Sequence, residues 1–196
     1  MVIAYLIGSV NPAILISKTF KKKDIRELGS KNAGATNITR TLGLHLGMIV
    51  LLLDASKGVL AIAIGREICK RFCVQPCLHV DYLTLLAALW GHCFPLFFNF
   101  KGGKAVATTA GGLLLLNPAI FLMAFSVFIF VVARTQQIGM GAVGAALSLP
   151  LDYYLWVFFS GKFDIDFLFI VGIAIILIVA HTKNIKEHAK FLFRGQ

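Results

Sequence analysis

The sequence predicts an all-α integral membrane protein with seven transmembrane helices, some of them short, and functional loops at the cytoplasmic face. Two global observations predict this class. Hydrophobic residues make up 58% of the 196 positions and charged residues only 14%, and the mean hydropathy is +0.84, a balance outside the range of soluble domains. The charges also sit at the ends of apolar runs, where loop charge sets orientation, and form no patch on a polar domain. The formal net charge of +10 therefore points to membrane topology, and no nucleic-acid partner is expected. One membrane domain, 1–196, is the expected organisation.

The first run, Val2 to Ile16, has its basic cluster Lys18, Lys21, Lys22 and Lys23 behind it, so it reads as a spanning helix and not as a cleavable leader. Further runs cover Leu44 to Ile64, Val80 to Phe98, Ala105 to Val132, Ile138 to Phe159 and Phe167 to Ala180. Taken as one helix, the run from Ala105 to Val132 leaves the basic tail Lys183, Lys186, Lys190 and Arg194 on the opposite side from the earlier basic clusters. Asn117-Pro118 offers a turn that divides it into Ala105 to Leu116 and Ile120 to Val132. The first of these halves reaches only ~18 Å, short of a hydrocarbon core of ~30 Å, so it must begin below the surface in a polar cavity or thin the bilayer. Seven spans then place Arg26, Lys31, Arg40, Lys101, Lys104, Arg134 and both lysine clusters on one face, leaving Arg66, Lys70, Arg71 and Lys162 on the other and Lys57 within a span. The amino terminus is expected outside and the carboxyl terminus in the cytoplasm. Cys69, Cys73 and Cys77 share one loop, spaced too widely for common metal sites; no metal is expected, and a disulfide is open to them if the loop lies outside the cytoplasm.

Three polar segments fall on the predicted inner face. GSKNAGATNITR, Gly29 to Arg40, has no apolar period. Ser30, Asn32, Thr36 and Asn37 supply hydroxyl and amide groups, Gly29 and Gly34 permit special backbone conformations, and Arg40 can grip phosphate bidentately. The same composition also suits a loop with a helix cap before Leu42. GHCFPLFFNFKGGKAVAT carries Lys101 and Lys104 around Gly102-Gly103, where bare backbone N–H groups and the positive start of a helix favour an oxyanion. Phe98 and Ala105 break the phosphate-loop pattern, so nucleotide hydrolysis is not expected. His92 reads equally as a helix-end histidine and Lys101 equally as a headgroup anchor. HTKNIKEH places His181 and Asn184 at i and i+3 on one helix side, in a stretch that also suits a basic tail facing anionic lipid.

Two tempting features are discounted. The letters of GxGxxG at Gly139 to Gly144 lie in an apolar run with no strand before them and read as close helix packing. Asp54 and Lys57, at i and i+3 inside a span, read as a buried ion pair.

Taken together, and in this order between apolar runs, the three segments resemble the bacterial acyl-phosphate glycerol-3-phosphate acyltransferase family, from about Ile7 to Phe193. The resemblance implies a small inner-membrane enzyme of phospholipid synthesis with seven spans and a cytoplasmic active site. Its partners are acyl phosphate, glycerol 3-phosphate and membrane lipid, its product is lysophosphatidic acid, and no cofactor is implied. It assigns Ser30, Asn32, Thr36, Asn37 and Arg40 to the site lining, and Gly102, Gly103 and Lys104 to phosphate, with Thr108 beside them. His181 and Asn184 are assigned to substrate, and Lys104, His181 and Arg40 are the expected catalytic set. The chain departs from the family pattern at Lys31, where glycine is usual, at Glu187, where a basic residue is usual, and at Gln136-Gln137, where a serine is usual. The chemistry suits the residues: two anionic substrates need cations, and an acyl phosphate already has its leaving group, so positioning is the main device. A substrate phosphate oxygen, or alternatively His181, is the expected proton acceptor. An anion transporter is the rival from another class, though polar groups gathered on one face fit it poorly.

Overall fold

The structure is a computed structural model that describes residues 1–72, 79–161 and 166–194, with side chains to Phe191. Every regular element among the described residues is helical. The chain packs as two compact units, 1–116 and 117–196.

In the first unit, α1 (Val2–Ser9) and α2 (Pro12–Lys21) follow each other with a break at Val10-Asn11. Asn11 caps α2 by accepting from the Ile14 N–H at 3.0 Å, and Pro12 at the first helical position needs no donor. The break lies inside the run read from the sequence as one spanning helix, Val2 to Ile16, which the sidedness of the charges gives no reason to divide. A short 3₁₀ turn, Ile25–Glu27, leads to α3 (Ala35–Leu42), after which Gly43, at φ +98°, opens α4 (Leu44–Phe72). Helix α5 (Val80–Cys93), the 3₁₀ turn Leu96–Phe98 and the short α6 (Val106–Leu116) complete the unit. Helix α4 is its axis and touches α1, α3, α5 and α6.

Small residues make those contacts close. A Cβ on Gly58 would strike the Thr108 carbonyl across α4 and α6, and one on Gly91 would strike the Tyr5 carbonyl across α5 and α1. Under the first polar segment lies an apolar floor of Ala13, Ile14, Ile25, Ala33, Ile38 and Val50, with Phe98 from the second polar segment packed against it.

In the second unit, α7 (Pro118–Thr135) begins where Asn117 accepts from the Ile120 N–H at 3.2 Å, as the Asn-Pro signal predicts. Helices α8 (Ile138–Ser160) and α9 (Asp166–Ala180) follow, and α10 (Thr182–Arg194) turns away from α9 by 57°. Gly141 and Gly144 lie against Val132, Phe128 and Val131 of α7, so the GxGxxG letters serve helix packing.

Among the described residues, five helical stretches are long and apolar enough to cross a membrane, with α1 and α2 counted together as Val2–Lys21, and six if α9 and α10 form one bent span; Val106–Leu116 is a further, shorter apolar helix. The large apolar side chains facing outward along α4 and α7, such as Leu52 and Phe130, fit a lipid surround. The chain is a multi-pass membrane protein. Cys69 is disulfide-bonded and Cys93 is a free, buried thiol, while Cys73 and Cys77 lie outside the described residues.

Candidate active site

The first polar segment is organised around one buried amide. Asn37, on the first turns of α3, donates through Nδ2 to the carbonyls of Leu28 (2.9 Å), Asn32 (3.0 Å) and Ile25 (3.2 Å), and its Oδ1 accepts from the Ser30 N–H at 3.0 Å. Asn37, expected at the substrate, thus has a structural task within the first segment. Its polar atoms are engaged within the loop, and it shapes the segment that presents the exposed Ser30 and Arg40 and the half-buried Asn32 and Thr36.

Lys31 sits in this loop at φ +61°, beside Gly29 at +52°. A left-handed backbone is costly for a side chain bearing Cβ and easy for glycine, which gives the sequence departure at Lys31 a physical meaning. Lys31→Gly is expected to stabilise the protein by about 1 kcal/mol, measured by thermal or denaturant unfolding in detergent.

The second segment folds back on the end of α5. The Gly102 N–H donates to the Cys93 carbonyl and the Gly103 N–H to the His92 carbonyl, both at 3.1 Å. This corrects the expectation that Gly102 and Gly103 offer bare amides to phosphate. A Cβ on Gly102 would fall onto the His92 carbonyl oxygen, and one on Gly103 onto His92 Nε2 while standing 2.6 Å from the Ala33 carbonyl oxygen. The glycines are needed for close approach, and the amides left for an anion are those opening α6 after Lys104. Lys104 is half-buried at that opening, followed by Ala105 at φ +58°, and Lys101 is exposed. Thr108, expected beside the phosphate, is fully buried, with Oγ1 3.5 Å from His92 Nδ1.

The same geometry brings the first two segments together. Asn11 Nδ2 donates to the Ala33 carbonyl at 3.3 Å, and Ala33 in turn meets Gly103. Arg26 ties the other flank, donating from Nη1 to the carbonyls of Phe98 (2.7 Å) and Lys101 (2.9 Å), while Nε and Nη2 grip Asp24 at 2.9 and 2.8 Å. Sequence reasoning missed Asn11 and this Asp24–Arg26 clamp. The capping signal of Asn11-Pro12 was legible, since the same pair was read correctly at Asn117-Pro118. Besides Asp24, the partners of Arg26 are backbone carbonyls more than seventy positions away, which carry no sequence signal.

The hydrogen bond and charge of Arg26 hold the Asp24 carboxyl below its ordinary value against a smaller opposing effect of burial. A carboxylate lowered on folding contributes stability above its unfolded value of ~3.9 and loses that contribution as pH falls through the folded one. The parent protein is thus expected to unfold at a higher temperature than Asp24→Asn at pH 7, with the difference beginning to shrink as pH falls below about 4 and disappearing only below the lowered folded value.

In the second unit, His181 is buried at the bend between α9 and α10, and its Nδ1–H donates to the Leu177 carbonyl at 2.8 Å. That bond puts the proton of the neutral ring on Nδ1 and leaves Nε2 as the basic nitrogen. Asn184, one turn on, packs so tightly on the start of α8 that a Cβ on Gly139 would meet its Nδ2. Gln136 closes α7 in a left-handed conformation, and Glu187 lies 3.7 Å from Lys183 on exposed helix surface.

The sequence matches the family described as glycerol-3-phosphate acyltransferase over residues 1–190. The chain belongs to the glycerol-3-phosphate acyltransferase family. Among members of the family, the glycerol-3-phosphate acyltransferase of Fusobacterium nucleatum is 37% identical over 188 residues, covering 95% of this chain and 91% of its own length. That of Desulforamulus reducens is 37% identical over 185 residues, covering 93% and 86%. The crystal structure of PlsY, an integral membrane glycerol 3-phosphate acyltransferase, in its glycerol 3-phosphate form superposes with a TM-score of 0.80 at 32% identity, covering 96% of this chain and 90% of that one. Its lysophosphatidic acid form gives 0.78 at 31% identity. Acyltransferase-family membership and the membrane fold thus agree with what the three polar segments imply.

Proposed function

We propose that this protein moves a fatty acyl group from acyl phosphate to the 1-hydroxyl of glycerol 3-phosphate, releasing lysophosphatidic acid and phosphate. The observation that carries the reading is the joining of two distant polar segments: Ala33 against Gly103 and Arg26 across Phe98 and Lys101 bring the loop before Arg40 to the turn that bears Lys104. Family membership and the two forms of the solved relative support acyl transfer to glycerol 3-phosphate. Acyl phosphate as donor rests on the motif resemblance and on the supply of cations for two phosphates.

In this reading Arg40, Lys104 and the first amides of α6 hold the phosphates. Ser30, Asn32, Thr36 and Lys101 line the approach, and His181 and Asn184 complete the hold on substrate. The hydroxyl oxygen attacks the acyl carbon, the bond from that carbon to the phosphate oxygen breaks, and the hydroxyl proton passes to a phosphate oxygen or to His181 Nε2. Close positioning contributes several kcal/mol, and fixed cations stabilise the charge that develops.

The full topology has seven spans, with the carboxyl terminus and the site in the cytoplasm of a bacterial inner membrane. The disulfide at Cys69 supports an outer location for the loop that follows α4. Purified protein given glycerol 3-phosphate with acyl phosphate, acyl-CoA or acyl carrier protein tests the donor. Lysophosphatidic acid from acyl phosphate alone is the expected result, and product from a thioester alone overturns it.

A further inference from the structure

A buried polar cluster lies directly behind the turn that carries Lys104. Lys57, in the middle of α4, donates from Nζ to the carbonyls of Gly8 (3.2 Å) and Val10 (2.8 Å) at the end of α1, and lies 2.9 Å from His92 Nδ1 and 2.9 Å from Asp54 Oδ1. All three side chains are almost completely withdrawn from solvent. Asp54 balances the ammonium, which is what makes a lysine tolerable at this depth. The two carbonyls that Lys57 caps belong to a helix end, where a cation is favoured.

An ammonium has three protons and no lone pair, so at 2.9 Å it donates to Nδ1. The imidazole proton then sits on Nε2, the edge that meets Gly103. The carbonyl of the same histidine accepts from the Gly103 N–H. Backbone and ring of one residue thus grip the turn immediately before Lys104, and Lys57 decides how that ring is turned. The polar groups facing the ring are Lys57 and Asp54 from α4 and the Thr108 hydroxyl from α6.

We infer that His92, oriented by the Lys57 ammonium, is a positioning residue that sets the Gly102–Lys104 turn for phosphate. It acts through the turn and has no contact with the reacting atoms. A ring that merely fills space would need no acceptor at Nδ1, and phenylalanine would serve as well.

The inference rests on the acyltransferase reading and is tested on detergent-purified full-length protein by kcat, KM for glycerol 3-phosphate and thermal unfolding. His92→Asn keeps an acceptor oxygen near the place of Nδ1 and is expected to hold KM within about threefold of the parent. His92→Phe keeps a ring and loses the acceptor, and KM is expected to rise tenfold or more with a smaller change in kcat. Should His92→Phe fail to fold with an under-partnered ammonium, the triple variant Asp54→Asn, Lys57→Met, His92→Phe removes both charges and is expected to show the same raised KM. A parental KM in whichever phenylalanine variant folds overturns the inference, as does a His92→Asn variant impaired as deeply as His92→Phe at equal thermal stability. If the parent makes no lysophosphatidic acid at all, the activity reading fails instead, so the two failures are distinguishable.

Discussion

Lys104→Ala is expected to lower kcat/KM for lysophosphatidic acid formation roughly 10²- to 10³-fold, the loss typical when one fixed charge or donor at a developing oxyanion is removed. Lys104 stands where the Gly102–Gly103 turn hands the chain to α6, so its charge and the positive end of the helix fall together. The glycine amides are already bonded to the carbonyls of Cys93 and His92, which concentrates the task of holding phosphate on this side chain and the first turn of α6. Lys104→Arg keeps the charge with a different donor geometry and is expected to recover only part of the loss. Steady-state kinetics with thermal unfolding as a control check both variants; an unfolding temperature within a few degrees of the parent assigns the loss to the site.

The second large effect concerns stability. Asn37→Ala is expected to destabilise the first unit by about 2–4 kcal/mol, because it strands three carbonyls and one N–H that a single amide now joins. Asn37→Asp is expected to be comparably harmful: carboxylate oxygens would face the carbonyls of Ile25, Leu28 and Asn32, which accept and cannot donate. Ser30→Ala leaves the Ser30 N–H to Asn37 intact and is expected to change stability by less than about 0.5 kcal/mol. Unfolding temperatures of the three variants in one detergent check this order. Activity is expected to fall with Asn37→Ala, since the loop it organises leads to Arg40.

Much of the architecture was legible because a bilayer imposes a simple rule: backbone polar groups must be bonded within helices and the outward side chains must be apolar. The run boundaries, the break at Asn117-Pro118, the Asp54–Lys57 pair and the packing use of Gly141 and Gly144 all follow from that rule and from local capping. The matching break at Asn11-Pro12 carries the same capping signal, but no charge asymmetry asks for that run to be divided. Within the site, the residue types were legible and their directions were not. An asparagine or threonine in a polar stretch has the same composition whether it faces a ligand or, like Asn37 and Thr108, the interior. A Gly-Gly pair likewise reads the same whether its amides await an anion or meet carbonyls of α5. Tertiary neighbours decide such cases, and Arg26 shows how distant they are.

The central proposal is that Arg40, Lys104 and His181 each contribute to binding glycerol 3-phosphate. Calorimetric titration of glycerol 3-phosphate into the parent and into Arg40→Ala, Lys104→Ala and His181→Ala tests it most directly. The account predicts at least a tenfold loss of affinity in each variant with unfolding temperatures preserved. Parental affinity in His181→Ala, beside clear losses in the other two, would contradict it.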